Sequence, residues 1–485
     1  MEIEHRADAL FALPRMPWTV SLFGEPPGWR RDLDERGIEV VEPGRAVDLA
    51  VATEDQLDAA LESGAASVIV EGSRASARDL VEAGYRATRV LSLPVAGTPV
   101  LFVDLDRRGA ARYALRRGVV HREVWRTARN EAVAVLVGAG IVPPFPALVG
   151  VGSREPGPPA LVAAGRELGV PGDGGWVQLV SPGSVVRRNG LLVFPPRAGQ
   201  PSHVVKFSRL REPSPTFERE EQGVARVTAA GGVVAARAPR YLGRVEADGF
   251  PAAVETAAPG TKLSTYLRRP LPRAAKLRPL EAVARWLVDV ARQTARPPEA
   301  LASERERLAR DVLPAWADRG VSPELALTLP PVPAIFEHND LSEENVVVRR
   351  GAFTVLDWEW AEPAGLPLAD LLYFGVHALR IVDGAGESQG ERERHVVDLL
   401  RGSAPSSSVL FSWVRSLASE LELTPDAVGG LATLAWLRRA EANRRERERA
   451  EEVGGAPLQP ASVERVAQLW VETEGLGPGW SAWRG

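Results

Sequence analysis

The run FEHNDLSEENVVV (336–348), followed by TVLDWEW (354–360), decides the reading of this chain. Asp340 and Asn345 stand five apart on a segment bounded by apolar strands, and Asp357 ends a further strand 17 residues after Asp340. Phosphoryl transfer needs one carboxylate to receive the proton of an acceptor hydroxyl. It also needs oxygen ligands that hold Mg²⁺ against the β- and γ-phosphates of ATP. H-x-D-x-x-x-x-N followed by a strand ending in Asp supplies these groups in order. His338 would buttress the loop, Asp340 would be the base, and Asn345 and Asp357 the metal ligands. Any one of the four alone is an ordinary turn or cap residue; the four at this spacing point to a site.

The stretch resembles the aminoglycoside phosphotransferase and choline kinase superfamily, small-molecule kinases that share the protein-kinase fold. Its pattern is H-G-D-L-H-x-x-N and then a strand running into D-W-E. This chain has His338-Asn339-Asp340-Leu341-Ser342-Glu343-Glu344-Asn345 and Asp357-Trp358-Glu359. Asn339 in second place also occurs in choline and ethanolamine kinases. Ser342 replaces a frequent second histidine, and Glu343-Glu344 replace small residues, which leaves the acceptor open. AEPAGLPLADLLYFG (361–375) continues the likeness, with Asp370 matching a structural aspartate. D-W-E in place of D-F-G, and no A-P-E segment downstream, weigh against a protein kinase. The resemblance implies an α+β bilobal kinase-like domain over about 176–470. It would use ATP and Mg²⁺ to phosphorylate a hydroxyl of a sugar, an amino alcohol or a glycan precursor. The alternative is a non-catalytic nucleotide-binding or scaffolding module.

The same resemblance asks for a lysine on the third strand of a β-lobe, and Lys206 in HVVKFSR holds that place. Only three of the 59 basic residues are lysine (Lys206, Lys262, Lys276); the rest are arginine. A lysine kept against that bias marks a place for a compact point charge rather than a planar fork. A glutamate on the next helix would pair with it. Glu220 has Val224 and Val227 on its face and is chosen, with Glu221 close behind. The phosphate-covering turn falls at Ser181-Pro182-Gly183-Ser184, with Gly183 and Ser184 nearest the phosphates. Val254 to Ala257, including Glu255 and Ala257, corresponds to the hinge that offers backbone groups to adenine.

At 485 residues the chain is long enough for two or three domains. With 45% apolar and 25% charged residues and a net charge of −4, it is a globular composition and lacks the basic excess of a nucleic-acid binder. The absence of cysteine excludes a disulfide framework, a thiolate zinc site and a cysteine nucleophile. The opening MEIEHRADALF does not read as a secretory signal, so a cytoplasmic protein is expected.

Ahead of the kinase-like part, WTVSLF (18–23), IEVV (38–41), VDLAVA (47–52), SVIVE (67–71) and PVLFVDL (99–105) are strand-like, with helical spacing between them. This alternation predicts an α/β Rossmann-like accessory domain over 1–120, although Gly24-Glu-Pro-Pro-Gly28 is not a dinucleotide turn. A helical and Pro/Gly-rich connection over 121–173 would lead to an N-lobe at 174–258 and a C-lobe at 259–485. Within that connection, 132–152 is read as a buried helix ending near Gly138–Gly140 and then an apolar loop. Residues 105–130 form a basic amphipathic stretch, read either as a solvated helix or as a peripheral membrane contact. The acids Glu343, Glu344, Glu359 and Glu362 would either attract a cationic acceptor or form a solvated cluster. RRAEANRRERERAEE (438–452) reads as a solvated helix face with pairs such as Glu441–Arg445. The oligomeric state is left open.

Overall fold

A computed structural model describes residues 6–24, 26, 28–71, 77–95, 98–117, 131–137, 139, 148–180, 188–211, 215–386, 388–452 and 462–484. The chain divides into two compact units. The first comprises Met1–Glu218 and Pro239–Pro259, the second Arg219–Ala238 and Gly260–Gly485.

The first unit is built on one sheet of twelve strands. These are β1 (Thr19–Phe23), β2 (Glu39–Val40), β3 (Leu49–Thr53), β4 (Ser67–Glu71), β5 (Arg86–Val95), β6 (Thr98–Asp104) and β7 (Leu148–Ser153), then β8 (Trp176–Leu179), β9 (Asn189–Val193), β10 (His203–Phe207), β11 (Tyr241–Ala247) and β12 (Phe250–Thr256). Their order is β11-β12-β10-β9-β8-β6-β5-β7-β4-β3-β1-β2. The run β2-β1-β3-β4 is parallel. Parallel strands are covered on both faces, and the sequence shows it at a period of two. Leu49, Val51 and Ile69 join one apolar cluster with Leu10, Phe11 and Trp29. Ala50, Ala52, Val68 and Val70 join another with Leu57, Leu80 and Tyr85.

The Rossmann-like arrangement expected for 1–120 is present only as that parallel run. From β4 onward every neighbouring pair is antiparallel, the β5–β6 hairpin included. The strand β7 replaces part of the expected apolar loop and lies inside the sheet, between β4 and β5. Its glycines misled the sequence reading because they serve packing rather than a turn. A Cβ on Gly152 would come within 3.2 Å of both Leu80 and Tyr85. The preceding helix, 131–137, buries Ala134 and Val137 but exposes Val135 and Leu136, so it is not buried all round. Of the basic stretch, Arg108–Arg117 is helical, Arg89 pairs with Asp106 at 2.7 Å, and 118–130 lie outside the described residues. No helix among the described residues is long and apolar enough to cross a membrane.

Asp8, Arg36, Arg209 and Asn189 form a buried polar knot in this unit. Arg36 and Arg209 both reach Asp8, and Arg209 donates two hydrogen bonds to Asn189 Oδ1, at 2.7 and 3.0 Å. The turn joining β11 to β12 is Asp248-Gly249, both at positive φ (49° and 86°), the requirement of a tight hairpin.

The second unit is mostly helical. It contains most of α1 (Pro215–Ala230), then α2 (Arg273–Thr294), α3 (Ala369–Val382), α4 (Ser407–Glu420), α5 (Pro425–Glu452) and α6 (Ser462–Glu472). Its strands are β13 (Thr261–Lys262), β14 (Ile335–Glu337), β15 (Val346–Arg349), β16 (Ala352–Val355) and β17 (Glu362–Gly365). β15 and β16 form a hairpin through Arg350-Gly351, while β14 pairs with β17. Eleven of the 14 residues of α3 are buried, so it is packed on nearly every side, against α2, α4 and α5 among others. It anchors the loop described next.

Candidate functional site

The loop leaving β14 carries His338, Asn339 and Asp340. Asn339 takes a left-handed conformation (φ 65°), which asparagine tolerates better than most residues. The carboxylate of Asp370, in the first turn of α3, accepts the backbone N–H groups of His338 (2.6 Å) and Asn339 (3.0 Å). Burial and the adjacent Glu337 push that carboxyl's pKa upward, against the pull of the two donors. Asp370 thus has the structural place that the resemblance gave it.

His338 is fully enclosed and joins two loops. The Asp340 N–H donates to Nδ1 (3.1 Å), so Nε2 carries the proton and donates to the Leu356 carbonyl (2.7 Å). Burial holds the imidazole's pKa below its usual value, in keeping with a neutral ring. Leu356 also donates its N–H to the Asn345 carbonyl (2.8 Å) and precedes Asp357, itself at φ 61°. Asn345 Nδ2 donates to the Asp340 carbonyl (2.9 Å) and to its Oδ2 (3.0 Å). One imidazole and one amide therefore tie Asp340 to the turn that bears Asp357. Trp358 is core: its ring centroid lies 4.5 Å from that of His338, and its indole N–H donates to the Val355 carbonyl. Trp360 is partly exposed, with Arg219 over its face.

No group of three His, Cys, Asp or Glu side chains suited to a metal occurs among the described residues. Asn345 and Asp357 do not need such a group to fit Mg²⁺. That ion commonly takes one or two carboxylates and completes its shell with phosphates and water. The Asn345 amide has its N–H₂ half committed to Asp340, so Oδ1 is the atom left to an ion.

The charge run on α5 requires a correction. Glu441–Arg445 is present, at 2.7 Å, but Arg438 and Arg439 are not solvated. Arg438 pairs with the buried Glu337 and reaches Glu304 at 3.6 Å. Arg439 donates to the Asn339 carbonyl and to Asp340 Oδ1, with its guanidinium over the Tyr373 ring. A signal was present in the sequence. Positions 438 and 439 fall four residues after the buried Leu434 and Ala435, and so continue the helix face that enters the core. A cavity of about 20 Å³, little more than a water's room, lies among Asn339, Asp370, Tyr373, Trp436, Arg438 and Arg439.

The acids read either as attracting a cationic acceptor or as a solvated cluster are in part engaged elsewhere. Glu344 pairs with Lys262 and Arg268, each at 3.6 Å, and Glu362 with Arg226 at 3.1 Å. Glu343 is buried, which raises its pKa.

In the first unit Lys206 lies on β10, between β9 and β12, and its ammonium is 3.3 Å from Glu255 of β12. Glu255 is paired through the ladder to Val204 and Tyr241. The N–H groups of Thr256 and Ala257 donate to the Arg240 and Ser202 carbonyls. Glu220 is buried on α1, in the second unit. Gly183 and Ser184 lie outside the described residues.

Residues 197–401 match a family model, described as phosphotransferase enzyme family. Among curated proteins none matches the chain. Similar solved structures include a protein described as an aminoglycoside phosphotransferase from Ralstonia eutropha JMP134. It is 14% identical, has a TM-score of 0.37, and covers 67% of this chain and 97% of its own. A glucosamine kinase is 16% identical, with a TM-score of 0.32 and coverages of 66% and 85%. A choline kinase from Cryptosporidium parvum Iowa II is 13% identical, with a TM-score of 0.25 and coverages of 56% and 90%. Over residues 197–401 this chain is therefore similar to the phosphotransferase enzyme family.

Proposed function

We propose that the protein is an ATP- and Mg²⁺-dependent kinase of a small-molecule alcohol. The observation that carries this reading is the tie made by His338 and Asn345 between Asp340 and the turn of Asp357. Asp340 receives the proton of the acceptor hydroxyl as its oxygen bonds to the γ-phosphorus and the bond to the bridging β,γ-oxygen breaks. Asn345 holds the Asp340 carboxylate in one orientation. His338 fixes both loops without itself gaining or losing a proton. Bound through Asn345 and Asp357, Mg²⁺ would neutralise charge on the phosphates. Lys206 is assigned to the nucleotide phosphates, with Glu255 holding its ammonium in place; Glu220 keeps its proposed role as a further partner of that lysine. Gly183 and Ser184 remain assigned to the phosphate-covering turn, and Glu255 to Ala257 to the adenine side. On the motif alone the proposed acceptor is a sugar, an amino alcohol or a glycan precursor.

The test is thermal unfolding of wild type and Asp357→Ala, with and without Mg-ATP. Ligand at about 100 times its Kd adds roughly 2.7 kcal/mol. A shift in wild type that Asp357→Ala abolishes supports the nucleotide site, and loss of transfer with retained binding in Asp340→Asn supports the base. No shift in either protein favours a non-catalytic scaffold instead.

A further inference from the structure

Arg439 donates to Oδ1 of Asp340, the carboxylate that the kinase reading assigns to the acceptor hydroxyl. Resting on the kinase reading above, we infer that the acceptor alcohol carries an oxyanion, a carboxylate or a phosphate, which Arg439 recognises. Arg439 would hold Asp340 in check until that anion arrives.

Three observations converge. The guanidinium donates to Asp340 Oδ1 while Asn345 donates to Oδ2, so each carboxylate oxygen already has a donor. A neutral alcohol that takes Oδ1 would draw the part-buried Arg439 off its anionic partner and leave it the Asn339 carbonyl and the Tyr373 ring, with no charge in return, which is costly. An acceptor with its own anion supplies the replacement partner. Second, Arg439 Nε is buried without a hydrogen-bond partner, and the side chain borders the cavity beside Asn339 and Tyr373. Arginine's planar fork suits carboxylate and phosphate oxygens, and this spare donor would turn to one once the guanidinium leaves Asp340, since the cavity itself has room for little more than a water. Third, among the described residues several acids that could receive a cationic acceptor are already paired: Glu337 with Arg438, Glu344 with Lys262 and Arg268, and Glu362 with Arg226. The contact with Asp340 also occupies one oxygen of the base while no acceptor is bound, which would restrain wasteful hydrolysis of ATP.

The experiment measures ADP release by the full chain with Mg-ATP alone and with glycerol, glycerate, glycerol 3-phosphate or choline. Arg439-dependent binding of inorganic phosphate and acetate is followed in parallel by thermal shift. Glycerate or glycerol 3-phosphate should stimulate wild type, whichever does so identifying the anion; glycerol and choline should not. Arg439→Gln should raise the KM for the anionic alcohol about 100-fold and increase acceptor-free ADP release. Arg439→Lys, which keeps the charge and loses the fork, should fall between. Arg445→Gln, on an exposed turn of the same helix, should behave as wild type. Stimulation by glycerol or choline above the anions overturns the inference. So does an anionic KM unchanged in Arg439→Gln, or the absence of any Arg439-dependent binding among phosphate, acetate and the two anionic alcohols. Failure of the kinase reading looks different: wild type then shows neither a Mg-ATP shift nor ADP release.

Discussion

Replacing Asp370 should release the loop that presents Asp340, and the size of the effect follows from two hydrogen bonds. Its carboxylate is buried and accepts the N–H groups of His338 and Asn339, at 2.6 and 3.0 Å. Asp370→Ala leaves both donors unpaired in the interior, at about 1–3 kcal/mol each, or roughly 4 kcal/mol together. Relief of the repulsion with Glu337 offsets part of this, though Arg438 already neutralises that carboxylate. Asp370→Asn keeps one acceptor but turns an N–H₂ toward the other donor, so about half the loss is expected. For a unit of this size 4 kcal/mol lowers the midpoint by about 10 °C. Amide exchange over 336–345 locates the effect and should accelerate more in Asp370→Ala than in Asp370→Asn. Transfer should slow in the same order while the shift produced by Mg-ATP persists. Unchanged exchange in that peptide, with a stability loss under about 0.5 kcal/mol, would refute the argument.

Three further outcomes can be checked. His377 is enclosed, and burial lowers its pKa to about 4. The unfolded chain therefore binds the extra proton first, and stability is lost as pH falls from about 6.5 to 4, by roughly 3 kcal/mol; urea unfolding of His377→Phe should show that much less acid sensitivity. Gly223→Ala would place a Cβ 2.0 Å from the Trp358 carbonyl oxygen and should cost about 1–3 kcal/mol with slower transfer, whereas Gly390→Ala, with only an arginine tip nearby, should be neutral or stabilising in the same unfolding assay. Lys206→Met should remove the Mg-ATP shift, and Glu255→Gln should weaken nucleotide binding measured by calorimetry without abolishing it.

The catalytic segment was legible because its chemistry is local. His338, Asp340 and Asn345 lie within eight residues and Asp357 shortly after, so spacing alone brings them near one another. Arg439 is 99 residues from Asp340, and a run of arginines and glutamates looks solvated unless the apolar face before it is carried forward. Strands were read well where a short apolar run stood between polar or turn residues, as in β3 and β4. The strand β7 was missed because glycine signals a loop in sequence but close approach in the fold. Strand direction, which separates a Rossmann-like sheet from this mixed one, is set by pairing across long separations that no local pattern records.

The continuous sheet also bears on how this protein can be divided. β8 pairs with β6 on one side and β9 on the other. A truncated chain beginning at Trp176 would leave the β8 backbone groups that face β6 as a bare edge, a template for aggregation. It would also strip the buried Arg209 of its contact with Asp8. The strands from β8 onward thus depend on β6 and Asp8 for their own completion. Dissection by deletion would report misfolding as lost function, so point substitutions in the full-length chain are the informative route.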